Sequence, residues 1–303
     1  MDFDSVFSDV LPIPLDEGPN PMSPIAYPQE YSKAMDYFRA CARTNEKSQR
    51  VLDLTSEIID LNPAHYTVWK VRQESLVALG SDLRKELEYT TTVGLEHHKN
   101  YQVWHHREVI VTLIGLDLDV IAKEKKYIND QFEIDAKNYH AWSYRQWLVR
   151  KFNAWEQELE DIDNLIEQDC RNNSAWNHRY FYFTSRPEGF DADSLSKEIQ
   201  FSLDHVRKTP NNESPWNYLK GPEVSEQVLN ASVQDVKILI TENEFVLHGA
   251  TFLLDFFESR LEAENDSAKK KEANEEAKKL CNDLIKFDII RIKFWNYRLS
   301  LLQ

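Results

Sequence analysis

Tryptophan recurs at positions 69, 104, 142, 176 and 216, and again at 295, with an arginine three residues later in every case but the fifth. The cassettes read His65-Tyr66-Thr67-Val68-Trp69-Lys70-Val71-Arg72, Asn100-Tyr101-Gln102-Val103-Trp104-His105-His106-Arg107, Asn138-Tyr139-His140-Ala141-Trp142-Ser143-Tyr144-Arg145 and Asn172-Asn173-Ser174-Ala175-Trp176-Asn177-His178-Arg179. A fifth, Asn212 to Leu219, keeps Trp216 and has Leu219 where the arginine would stand. Successive tryptophans lie 35, 38, 34 and 40 residues apart. That period belongs to helical hairpins that cannot bury their apolar faces alone and therefore stack on one another. The expected fold is all-α, a curved superhelix with one concave face.

Composition limits what such a stack can do. A formal charge of −15 argues against nucleic-acid binding, which needs a continuous basic surface. With 42% hydrophobic residues and no long apolar run, the chain is expected to bury a core without entering a membrane. No charged and then apolar leader opens the sequence, so a cytoplasmic location is expected. Cys41, Cys170 and Cys281 are too scattered for a disulfide framework or a metal knuckle.

Six of the 11 prolines fall before residue 30. They predict an extended, poorly ordered arm over residues 1–29, followed by one helical-repeat domain over 30–303. Asn62, Asn100, Asn138, Asn172 and Asn212 punctuate that domain at the repeat period, where a side-chain oxygen caps the free amides of a helix. Between Trp216 and Trp295 a degenerate unit is expected around Glu242 to Ser259, with the run Phe252 to Phe257 as its core face. The Glu- and Lys-rich stretch Glu262 to Lys279 reads as an exposed helix.

Tryptophan and arginine at i and i+3 share a helix face. The indole supplies apolar area worth on the order of 3 kcal/mol when buried, and the guanidinium can reach carbonyls or carboxylates between layers. These residues are read as core. Ahead of them, Lys99 and Lys137 precede Asn100 and Asn138, and Tyr101-Gln102 and Tyr139-His140 open the helices. A lysine beside a helix N-terminus makes a local anion site, even in an acidic protein. The doublets His97-His98 and His105-His106 diverge by about 100° on a helix and do not chelate from one face. No metal site is expected in this chain.

The runs Lys99 to Arg107, Asp135 to Trp142, Arg171 to Arg179 and Asn212 to Gly221 resemble the alpha subunit shared by protein farnesyltransferase and geranylgeranyltransferase type I. The likeness extends from about residue 31 to the end. It implies a crescent-shaped, right-handed solenoid of about seven helical hairpins wrapped around a beta subunit. The pair would transfer a farnesyl or geranylgeranyl group from its diphosphate to the cysteine of a C-terminal Cys-aliphatic-aliphatic-X (CaaX) motif, as in small GTPases. Zinc would be bound by the beta subunit, with magnesium as a further cofactor.

Carried over by position, the resemblance makes Lys99 the lysine that reaches the isoprenoid diphosphate, and Tyr101 the catalytic-site tyrosine beside it. Gln102 becomes the donor to the peptide's terminal carboxylate. Tyr66, Asn138, Tyr139 and His140 would line the same substrate-binding mouth. Two alternatives are a non-catalytic helical-repeat adaptor that grips a peptide, and the Rab-type geranylgeranyltransferase alpha subunit. Some members of the latter carry extra domains that 303 residues cannot hold.

Overall fold

The computed structural model describes residues 1–23, 25–221, 226–242 and 245–302, and the regular structure among them is entirely helical. The chain divides into two compact units, Met1–Ala154 and Trp155–Gln303. No helix among the described residues is long and apolar enough to cross a membrane.

The first unit contains α1 (Phe3–Val6), α2 (Gln29–Thr44), α3 (Gln49–Leu61), α4 (Tyr66–Leu79), α5 (Leu83–Glu96), α6 (Tyr101–Ile114), α7 (Leu118–Ile134) and α8 (Tyr139–Phe152). The tryptophan helices α4, α6 and α8 pack successively on one another, and α5 packs on α7 to form the second layer. Trp69, Trp104 and Trp142 are buried between the layers. Each indole N–H is satisfied by the carbonyl six residues back, that of Pro63, His98 and Ala136, at 2.8, 3.0 and 2.9 Å. The polar end of each indole thus fixes the turn that leads into its own helix.

The arginines clamp helices on both sides. Arg72 donates to both oxygens of Glu86 on α5, at 2.7 and 2.8 Å, and reaches back to Ser56 and the Leu52 carbonyl on α3. Arg107 repeats this with Glu124 on α7 and with Thr91 and the Leu87 carbonyl on α5. The residue before the arginine completes the carboxylate from the next repeat. His106 contacts Glu86 and Tyr144 donates to Glu124, each at 2.7 Å. Burial pushes the Glu86 carboxyl upward, but the bonds from His106 and Arg72 outweigh it and hold the group ionised, below its ordinary range. Removing one partner of such a buried set leaves a charge uncompensated, at a cost of about 3–5 kcal/mol.

The first ten residues of the amino-terminal segment are packed rather than extended, whereas the described residues between 11 and 28 carry no helix or strand. Phe3 and Phe7 are buried against Tyr37 of α2, with ring centroids 6.1 and 5.3 Å away. Asp4 pairs with Lys33, and Asp9 with Arg50, each at 2.6 Å. Further along, the Ile13 amide donates to Asp36 and its carbonyl accepts from Arg39. Two aromatic anchors four residues apart supply what the proline count concealed. At Asn62 a second expectation changes: α4 is opened by His65 without a side-chain cap, and Asn62 instead bonds the Ala64 amide and the Tyr31 hydroxyl.

The second unit contains α9 (Glu158–Gln168), α10 (Asn173–Ser185), α11 (Ala192–Lys208), α12 (Glu213–Leu219), α13 (Glu226–Glu242), α14 (Leu247–Ala263), α15 (Ser267–Phe287), a 3-10 turn (Ile289–Arg291) and α16 (Ile292–Leu301). Here α10, α12 and α14 pack in sequence, and α11 packs on α13. Leu219, in the arginine position, is buried among Trp216, Phe252 and their neighbours. The degenerate unit is α14, where Phe252, Leu253, Leu254, Phe256 and Phe257 are all buried because α12, α13 and α15 surround it. Arg298 keeps the clamp in α16, reaching Asp255 and Glu258 of α14. The Glu- and Lys-rich helix α15 is more than an exposed face. Ala273, Ala277, Leu280, Cys281 and Leu284 recur at helical spacing and are buried against α14.

Candidate functional site at the helix openings

All seven residues singled out from the sequence lie in the first unit, at the starts of α4, α6 and α8. Tyr66, Tyr101 and Tyr139 are each the first residue of a helix, and they are 72, 68 and 71% exposed. Each leaves a large aromatic side chain with a hydroxyl tip in solvent at an equivalent place. Structural packing is done elsewhere, by the tryptophans one turn further along.

Asn100 and Asn138 cap α6 and α8 as expected, accepting the amides of Gln102 and His140 at 2.8 and 2.9 Å. Asn138 is buried, and its Nδ2 donates to the His98 carbonyl at 2.9 Å. Its polar atoms are thus committed to holding the turn before Lys99 against the start of α8. Asn138 is a buried structural support, in contrast to the exposed Tyr139 that follows it.

Lys99 and His140 tie the openings together. Lys99, 65% exposed, places its ammonium 3.0 Å from Asp135 Oδ2 at the end of α7. The Asp135 carboxyl lies below its ordinary range, first because it accepts the Lys137 amide and then because of Lys99. The His140 ring meets the Tyr101 ring edge-on, with centroids 4.2 Å apart. Partial burial lowers the His140 pKa, and the lysines before the two caps are Lys99 and the exposed Lys137. Gln102 is half-buried beside Tyr101 and leaves its side-chain amide without a hydrogen bond among the described residues. Tyr66 stands apart from the Tyr101–His140 pair, with His65 as its ring neighbour at 6.3 Å.

Asp135 was missed by sequence reasoning, because its partner lies 36 positions earlier and only stacking brings them together. The buried carboxylate ladder was also missed, although it leaves a signal. Glu86 and His106, Glu124 and Tyr144, Glu158 and His178, and Glu198 and Tyr218 each bond across a separation of 20 residues.

No three His, Cys, Asp or Glu side chains gather closely enough to hold a metal ion among the described residues. His106 is buried on Glu86, whereas its neighbour His105 is exposed, so that doublet is split between core and solvent. Among the described residues no donor set fits zinc. What the openings can supply is the lysine side chains Lys99 and Lys137, an amide donor and exposed tyrosines, groups that suit a ligand with an anionic head and an apolar body.

Comparison with known proteins agrees with the helical-repeat fold. The protein prenyltransferase alpha subunit repeat matches residues 83–114, 121–152 and 155–186. The farnesyltransferase/geranylgeranyltransferase type-1 alpha subunit of Dictyostelium discoideum is 37% identical, covering 96% of this chain and 91% of its own. That of Arabidopsis thaliana is 38% identical over 97% and 94% of the two chains. Among solved structures, a chain of Candida albicans protein geranylgeranyltransferase-I complexed with GGPP superposes with a TM-score of 0.83 at 27% identity, covering 98% of both chains. With its repeats, its all-helical fold and its full-length likeness to these relatives, the chain belongs to the family of alpha subunits shared by protein farnesyltransferase and geranylgeranyltransferase type I.

Proposed function

We propose that this chain supplies the cationic and peptide-orienting half of a CaaX prenyl-transfer site, completed by a beta subunit. In this reading Lys99 meets the diphosphate of farnesyl or geranylgeranyl diphosphate. As the carbon–oxygen bond of the isoprenoid breaks, negative charge grows on the leaving diphosphate, and an ammonium placed there stabilises the transition state more than the ground state. Tyr101 flanks the same region, and Tyr66, Tyr139 and His140 wall the mouth. Gln102 donates to the terminal carboxylate of the peptide, which a neutral amide can do without cancelling its charge. The single observation that carries the reading is the exposed Lys99 ammonium held by Asp135, on the same helix opening as the exposed Tyr101, whose ring meets His140 of the next opening.

Zinc and magnesium belong to this proposal as cofactors of the assembled enzyme. Since the described residues of this chain offer no donor set for zinc, the chain's own part is electrostatic and positional. A cytoplasmic setting fits its three free cysteines.

The test is Lys99→Ala in the intact heterodimer with its native partner. Transfer onto peptides ending Cys-Val-Leu-Ser or Cys-Val-Leu-Leu is expected to slow roughly ten- to a thousandfold, the range for losing one charge stabiliser. Unaltered turnover removes Lys99 from the chemistry. Gln102→Ala is expected to raise the peptide KM and leave isoprenoid binding unchanged; an unaltered peptide KM sinks the carboxylate role.

A further inference from the structure

The geometry points to Asp135 as a positioning residue for Lys99: a carboxylate locked in its own turn that holds the ammonium of the preceding repeat at the substrate mouth. The inference rests on the reading of Lys99 as the diphosphate contact and adds the group that aims it.

Both ends of the pair are fixed. At the acid end, the Asp135 amide closes α7 on the Gln131 carbonyl, and the Asp135 carbonyl accepts the Asn138 amide, each at 3.0 Å. Its Oδ1 accepts the Lys137 amide, also at 3.0 Å, which leaves Oδ2 turned toward Lys99. The carboxylate cannot swing away without breaking this turn. At the lysine end, the carbonyl of His98 accepts both the Trp104 indole, at 3.0 Å, and the Asn138 side-chain Nδ2, at 2.9 Å. The backbone just before Lys99 is therefore pinned by two repeats at once.

Between the two fixed ends runs a four-carbon stem in solvent, which by itself would sample many rotamers. The bond to Asp135 selects among them. It occupies one of the three ammonium donors and leaves two for an anion. The repeat does not produce such a pair automatically. In the second unit Arg171 precedes its cap Asn172 as Lys99 precedes Asn100, but Thr209 stands where Asp135 would be, and its hydroxyl is bonded to the His205 carbonyl.

Asp135→Asn separates positioning from folding, because its amide oxygen can still accept the Lys137 amide while the charged oxygen facing Lys99 is gone. In the heterodimer with the native partner, single-turnover transfer at saturating isoprenoid diphosphate is expected to slow about two- to fivefold, the scale of one exposed ion pair. Peptide KM and melting temperature should stay unchanged, and the slowing should vanish in a Lys99→Ala background. A wild-type or faster rate in Asp135→Asn, with Lys99→Ala slow, overturns the positioning role; a faster rate would mean that the carboxylate competes with the anion. Slowing that persists in the Lys99→Ala background overturns it as well, since Asp135 would then act through the fold. A normal rate in Lys99→Ala brings down the reading of Lys99 itself, and the role of Asp135 with it.

Discussion

At the start of α8, Asn138 caps the helix and donates to the His98 carbonyl, which also receives the Trp104 indole. At the start of α12, Asn212 caps its helix and donates to the Cys170 carbonyl, which also receives the Trp176 indole. The two openings share one backbone plan and present different chemistry. The first exposes Tyr139 and has Lys99 paired with Asp135, whereas the second exposes Glu213, with Arg171 and Thr209 in the positions equivalent to Lys99 and Asp135. The cap and the indole bond are thus a property of the repeat, needed wherever one hairpin stacks on another. The two openings differ only in the side chains that this frame leaves in solvent.

The largest expected effect tests whether the frame is common to both units. Trp104→Ala and Trp176→Ala should each destabilise the protein by about 3–5 kcal/mol, since each removes a buried indole and one of the two bonds to a carbonyl. Thermal denaturation of the purified heterodimer reads this, and a loss at one position only would break the equivalence. Next come the caps. Asn138→Ala and Asn212→Ala should each cost about 2 kcal/mol, a lost cap together with a lost tether. Values for the two that differ widely would mean that the shared geometry is not shared in energy.

The smallest stability effect is the one that sharpens the contrast. Tyr139→Ala and Glu213→Ala are both surface truncations and should shift stability by no more than about 0.5 kcal/mol. Tyr139→Ala is nevertheless expected to weaken use of the isoprenoid diphosphate in the transfer assay, with Glu213→Ala at the wild-type value. Equal activity in the two variants would leave the tyrosine row without a role in the site.

Much of this was legible before any coordinates. The tryptophan period, the asparagine caps and the side-by-side placement of Trp and Arg are local consequences of helix geometry, and they appear at Asn100, Asn138, Asn172 and Asn212 as read. Other features escaped because they depend on which surfaces meet. Phe3 and Phe7 looked like parts of a proline-rich arm until Tyr37 and Arg50 received them. Ala273 and Ala277 were hidden inside a charged run, since alanine signals close packing only once a neighbouring helix is known.

For the site, the sequence by itself determined the residue types and their places: Lys99 before a cap, Tyr101, Gln102, Tyr139 and His140 in the first turns. Helix periodicity and capping act over a few residues, so they can be read from the chain. The tertiary structure decided which of these groups face one another. Only stacking sets Asp135 on Lys99 and the His140 ring on Tyr101, and only stacking buries Asn138 as a support. Such contacts span about one repeat, and their geometry depends on how two hairpins pack, which no local rule specifies.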